Sequence, residues 1–428
     1  MKIPNSNSFR STWRSLATTL IVASLAVGCG GGGGGGGGGY GGGRIGSGIG
    51  IGSNSGVDTG GTGAAAPLSF SAGRIAGFGS IIVNGVRFDD ATARVIDDDG
   101  VAHVRGELKL GMQTQVQAGP VTTDAAGVAT AKATTIEFGS QVRGLVQVVD
   151  AAGATLVVLG QRIKVDAATL FDGFNGGIGS VATGNLVEVY AFFDHTTATY
   201  TATRIELKTS LVDYKVVGVV SALNTDAKTF VIGSATVGYA NVPAVALQAL
   251  ANGVVVRVHL QKVQQGATWI ATTLESDAPA VPEGAQTELE GFITDFAGAG
   301  RFKVGGVAVD ASAPGVVFKS GSAAQLANGV RVEVEGTTRA GVLAATRIDV
   351  KGSGGGDNQQ FELHGAIESV NLSAQSFVLR GTTVTYDSGT RFDDGTAASL
   401  VVGALVEVKG VLSPAGNQLV AARIKFEH

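Results

Sequence analysis

The chain has 428 residues and a formal net charge of −4; it is 44% hydrophobic but only 15% charged, against roughly 25% charged for an average soluble protein. Length allows about two to four ordinary domains, and the acidic balance argues against a nucleic-acid partner. A single cysteine excludes a disulfide framework and any zinc or iron–sulfur site built from cysteines, and 8 prolines beside 67 glycines exclude collagen.

Residues 1–28 read as an export signal. Lys2, Arg10 and Arg14 make a positive start, and an apolar run follows from Leu16 to Val27. That run is too short to span a bilayer and suits a signal-peptide core. It ends in Leu25-Ala26-Val27-Gly28-Cys29, which resembles a bacterial lipobox displaced by one residue, with Cys29 as the lipidated first residue of the mature chain. Ala26-Val27-Gly28 also suits an ordinary signal peptidase, which would release the protein. Acyl chains would supply the membrane hold, at roughly 0.8 kcal/mol per buried CH₂. Gly30 after Cys29 resembles lipoproteins sorted to the outer membrane. Cleavage removes Lys2, Arg10 and Arg14 and takes the net charge from −4 to −7.

Residues 29–72 read as a flexible tether. Residues 30–63 hold 21 glycines, ten of them consecutive. Such a segment buries too little apolar surface to offset its chain entropy. A phosphate-cradling loop would need a strand before it and a helix after it, and the sequence offers neither.

The remainder is one module repeated five times, over residues 73–138, 139–210, 211–279, 280–352 and 357–428. Leucine or valine followed three residues later by glycine recurs as Leu108/Gly111, Val181/Gly184, Leu250/Gly253, Leu326/Gly329 and Leu400/Gly403. After each glycine comes a strand of period two: Val330, Val332 and Val334 predict a buried face, and Arg331, Glu333 and Glu335 a wet one. Each module opens on a short strand headed by glycine (Gly73, Gly144, Gly218, Gly291, Gly365). Each closes on an Ala-x-x-Ile strand, such as Ala345/Ile348 or Ala421/Ile424. Short strands, glycine turns and almost no helical periodicity predict an all-β fold, with one helical turn within 243–251. About five strands per 70 residues suit a small, partly open barrel of the oligonucleotide/oligosaccharide-binding (OB) type, which removes exposed edges; a small sandwich is the alternative. The expected architecture is a tandem array of five such barrels, like beads on a string, with Gly354-Gly355-Gly356 as its most mobile joint.

The stretch Gly77-Phe78-Gly79-Ser80-Ile81-Ile82-Val83-Asn84-Gly85-Val86-Arg87-Phe88 resembles the signature of a domain family of unknown function found as tandem copies in bacterial lipoproteins. The L-x-x-G strand and the Ala-x-x-Ile ending fit the same pattern, module 1 best and module 3 least. The resemblance implies an exported β-barrel module and no activity.

An acidic residue follows the third strand in four modules: Asp89, Asp166, Asp310 and Asp387. Thr92, Thr169 and Thr390 stand three residues on in modules 1, 2 and 5. Recurrence points to turn formation, in which a carboxylate accepts backbone N–H bonds, rather than to catalysis or metal. Asp97-Asp98-Asp99-Gly100 reads as a solvated hairpin tip; weak calcium binding is the sharper alternative, although EF-hand spacing is absent. His103, His195, His259, His364 and His428 form no ligand motif and are expected at the surface. No nucleophile elbow or catalytic constellation is present, and no metal or cofactor is expected. Trp269 and Tyr200 are the candidate ligand-binding aromatics. The sequence therefore points to a non-enzymatic, lipid-anchored protein of the bacterial envelope. It would act in display, spacing or binding, with the membrane, envelope proteins or glycans as partners. The alternative is a glycan or small-ligand binder working through the divergent module 3.

Overall fold

Each module closes into the same five-stranded ring, and module 4 shows how. In this computed structural model, which describes residues 68–277, 279–352 and 360–427, the long first strand of module 4, Gln286–Thr294, pairs antiparallel with Phe302–Val304 on one side and Arg331–Arg339 on the other. Phe302–Val304 pairs with Val307–Asp310, which runs parallel to the last strand, Val342–Lys351. That strand is antiparallel to Arg331–Arg339 and completes the barrel. The same order closes barrel 1, barrel 2, barrel 3 and barrel 5. Among the described residues there is no α-helix. Short 3₁₀ turns occur, one of them Ala244–Leu247, where a helical turn is predicted. The export signal, Cys29, the Gly354–Gly356 joint and His428 lie outside the described residues.

The recurring sequence elements have a common mechanical origin. The glycine of each L-x-x-G element adopts positive φ, between +79° and +89°, a region that costs little only without a Cβ. Its N–H donates to a first-strand carbonyl in all five barrels: Gly111 to Ile75, Gly184 to Val146, Gly253 to Val220, Gly329 to Ile293 and Gly403 to Ile367, each at 2.8 Å. The leucine or valine three residues earlier turns inward; Leu108, Leu326 and Leu400 are buried. The Ala-x-x-Ile spacing of three is anomalous for a strand, where one face recurs every two residues. The structure resolves it with a β-bulge between the two positions in every barrel. The bulge adds one residue and turns both side chains into the core. The opening glycine sits inside the first strand rather than at its head. A Cβ on Gly144 would lie 2.6 Å from Leu159, and one on Gly218 2.4 Å from Ile232. Glycine there lets the hairpin of the second and third strands cross close over the first.

The array is not a string of beads. Ser69–Ala72, inside the expected tether, is strand: it pairs antiparallel with Gln115–Ala118 and parallel with Gln286–Leu289 of barrel 4. The far end of the same strand, Gly77–Phe78, pairs parallel with Glu362–Leu363 of barrel 5. One strand thus joins three barrels that are distant in sequence. Barrels 2 and 3 are joined through Val142–Arg143 and Lys215–Val216. The cores follow the same grouping: one apolar cluster runs through barrels 1 and 5 and another through barrels 2 and 3, while that of barrel 4 takes in Phe70.

This packing corrects the expected wet faces. Glu333 is buried and pairs with Lys351 at 2.8 Å. Arg74, Arg204, Glu206 and Lys215 are also buried on the outsides of barrels. Burial pushes the Arg74 guanidinium down to about 10, against the opposing charge of Glu290; its carbon lies 4.8 Å from the Phe361 ring centre. Period two correctly separates inside from outside, but at Arg74, Arg204 and Lys215 outside means a neighbouring barrel rather than water.

Candidate functional site

The recurring acids close turns. Asp89 Oδ1 accepts the Ala91 N–H (3.1 Å), Asp166 Oδ1 that of Ala168 (2.9 Å), Asp310 Oδ1 that of Ser312 (2.9 Å) and Asp387 Oδ1 that of Gly389 (2.8 Å). Thr169 and Thr390 add a second tie. Each hydroxyl accepts the aspartate's own N–H at 3.0 Å and donates to a last-strand carbonyl, that of Ala202 or Ala421. Every one of these groups is engaged within the fold.

Tyr200 and Trp269 are core residues. Tyr200 is fully buried and its hydroxyl donates to the Val217 carbonyl at 2.5 Å. Trp269 is 6% exposed and packs edge-on against Tyr214, ring centres 5.7 Å apart. Neither offers a ring face to a ligand. Each is an aromatic beside a hairpin, a position that alternation alone assigns equally to core or cleft.

The acidic hairpin is a seam rather than a solvated tip. Asp97 closes its own turn by accepting the N–H groups of Asp99 and Val101, and it meets His103 Nε2 at 3.1 Å. Asp98 takes the buried Lys215 ammonium of barrel 3 with both oxygens, at 2.8 and 2.9 Å. Asp99 meets His259 Nε2 of barrel 3 at 2.8 Å, and the other ring nitrogen meets Asp213 at 2.6 Å. His259 is therefore enclosed, not at the surface. The Asp213 hydrogen bond raises its pKa above the ordinary imidazole value; burial opposes this and the Asp99 charge assists it. Arg257 completes the seam with Glu275 (2.6 Å) and Asp277 (3.6 Å). Burial pushes the Asp277 carboxyl up to about 6, with the Arg257 charge opposing. Among the described residues, no group of three or more His, Cys, Asp or Glu is arranged to hold a metal ion.

A cleft of about 730 Å³ lies where barrels 1, 2 and 5 meet. Barrel 1 contributes Asp90, Arg105 and Lys109, and barrel 2 contributes Asp172, Asn175 and Arg204. Barrel 5 contributes Glu368, Arg380 and Gln418. One end is sealed by backbone: Phe171 N–H donates to the Gly416 carbonyl (2.8 Å) and Asn417 Nδ2 to that of Asn175 (3.2 Å). Arg204 forms the floor. Its side chain is 6% exposed, paired with Asp172 and Glu206, and Nη1 donates to the Leu110 carbonyl at 3.1 Å. Arg105 and Lys109 stand at the rim, 47% and 48% exposed. No sequence motif marks this cleft, because its residues come from three modules and meet only when the barrels dock.

Comparison with known proteins bears on the modules. No curated protein matches the chain. The solved structure of drosophila Unr CSD456 is 12% identical, covering 68% of this chain and 98% of that chain with a TM-score of 0.13. Residues 143–206, 290–349 and 364–425 match the model of a family described as a domain of unknown function (DUF5666). Those segments lie in barrels 2, 4 and 5, so barrel 1, whose Gly77–Phe88 stretch carried the resemblance, is not where the matches fall. The chain thus carries three tandem copies similar to DUF5666, a domain of unknown function, within its five-barrel array.

Proposed function

We propose that the protein is an exported, lipid-anchored component of the bacterial outer membrane that displays a preassembled, non-enzymatic binding block. Cys29 carries the lipid, the glycine-rich segment sets the reach, and the five barrels form the displayed body. The observation that carries the reading is the strand Ser69–Phe78, which joins barrels 1, 4 and 5 through main-chain pairing. Such pairing favours a body that presents surfaces in fixed relation over loosely tethered modules acting by avidity. The engagement of the recurring aspartates in turns supports a structural rather than catalytic use of those acids.

The test is made in intact cells. Labelling with a palmitate analogue is expected to mark the wild-type chain and to be lost in Cys29→Ser, which should leave the outer-membrane fraction. Crosslinking of the anchored protein is expected to capture recurrent envelope neighbours. An unlabelled wild-type chain found free in the periplasm or the medium would refute the anchoring.

A further inference from the structure

We propose that the cleft between barrels 1, 2 and 5 is a binding site for short acidic oligosaccharides, chains of uronic acid units. The proposal rests on reading the chain as a binding body and names its ligand class. The cleft's 730 Å³ falls within the roughly 300–1,000 Å³ of small-ligand sites. Its walls are barrel strands and short turns docked by main-chain hydrogen bonds, so the backbone of the cleft is fixed before any ligand arrives.

The lining selects the chemistry. Phe78, Phe171 and Phe174 reach the cleft but are only 7%, 6% and 4% exposed. No ring face is open to stack a nucleobase, and no apolar floor awaits a lipid. What is accessible is polar and of both signs. Arg380 donates Nε to the His364 carbonyl (3.2 Å), which leaves its two terminal amino groups open. Arg105 has a single long contact, 3.4 Å to Asp90. These guanidinium groups suit carboxylates, which they can hold bidentately. Between them, Asp90, Asp172 and Glu368 present acceptors for hydroxyls, and the side chains of Asn175 and Gln418 have no hydrogen-bond partner among the described residues. A phosphodiester polymer brings few hydroxyl donors to the three wall carboxylates, and a neutral glycan would leave the rim cations unused. A hydroxyl-rich chain carrying carboxylates satisfies both sets.

The test is calorimetric titration of the full chain in detergent with trigalacturonate, maltotriose and inorganic phosphate. Trigalacturonate should bind saturably with one site per chain, and the other two should not. Arg105→Gln and Arg380→Asn should each weaken binding about tenfold, the loss of one charge-assisted contact. Asparagine keeps the positive φ of position 380. Arg162→Gln, an exposed strand residue outside the cleft, should leave binding unchanged. Because Arg105 and Arg380 stand on different barrels, unaltered melting of either variant keeps the comparison valid. No trigalacturonate binding, equal binding of maltotriose, displacement by phosphate at equal concentration, or insensitivity to both variants would overturn the site. Lipid labelling at Cys29 is read independently, so a silent titration with intact anchoring refutes the site alone.

Discussion

At the residue scale, two kinds of glycine do different physical work, and substitution separates them. Gly403 has φ +88° and open space where a Cβ would stand. Gly403→Ala should therefore cost only the left-handed conformation, about 1 kcal/mol, read as a lowered midpoint in chemical denaturation. Gly403→Asn should cost less. Gly144 has no positive φ, but its Cβ would lie 2.6 Å from Leu159. Gly144→Ala should cost about 1–3 kcal/mol through overpacking. Glu288, at the joint of barrels 1 and 4, is the opposite case, a residue held against its chemistry. Burial, helped by the charges of Glu335 and Glu333, pushes its carboxyl up to about 9. An acid raised in the folded state is tolerated without cost below the unfolded value near 4.5, and the fold loses stability as pH climbs from there toward 9. Glu288→Gln should raise the melting temperature at pH 8–9 and change it little at pH 4–5. An equal gain at both pH values would contradict this.

At the element scale, the hairpin Asp97–Gly100 acts as a strut between barrels 1 and 3. Lys215 is buried, so Asp98→Ala leaves an ammonium without its main partner; a loss of about 2–4 kcal/mol is expected. Replacing both residues, Asp98→Asn with Lys215→Met, should recover most of that loss, because with both charges removed no buried ion is left uncompensated. A double mutant as unstable as Asp98→Ala would argue against the charge account. His259, faced by Asp99, Asp213 and Lys215, makes the strut sensitive to pH. A histidine raised in the folded state contributes fully below the unfolded value near 6.5, and that contribution is lost as pH rises through the folded value. His259→Gln should thus destabilise at pH 6 and approach wild-type behaviour above pH 8. A difference independent of pH would show that the ring acts by packing alone.

At the scale of the whole molecule, shared strands imply shared fate. Ser69–Ala72 borders barrel 4 as well as barrel 1. Replacing this segment with Gly-Ser-Gly-Ser should speed hydrogen exchange at Gln286–Leu289 as well as within barrel 1, while the amides of barrel 3 stay protected. Changes confined to barrel 1 would mean that the cross-barrel ladder adds nothing. A buried charge pair on barrel exteriors fits the same view: Asp98 of barrel 1 with Lys215 of barrel 3 is a complementary pair that marks where two faces meet.

How the chain divides between what is local and what is global follows from range. Alternation in Val330–Val334, the L-x-x-G turns and the five-fold period are set by neighbours a few residues apart, so the all-β class, the module count and the turn-forming acids could all be read from the sequence. The bulge was visible as an Ala-x-x-Ile spacing that period two does not explain, although its meaning needed the register. What only the tertiary structure decided is which outer faces are covered. Lys215 and His259 occupy positions that alternation places outside a barrel, and the Asp98 and Asp99 carboxylates of barrel 1 cover them. Strand Ser69–Phe78 meets Gln286–Leu289 and Glu362–Leu363 across more than two hundred residues of chain, and the cleft draws on three modules at once. No local pattern encodes these meetings, because they depend on complementary surfaces that exist only after each barrel has closed.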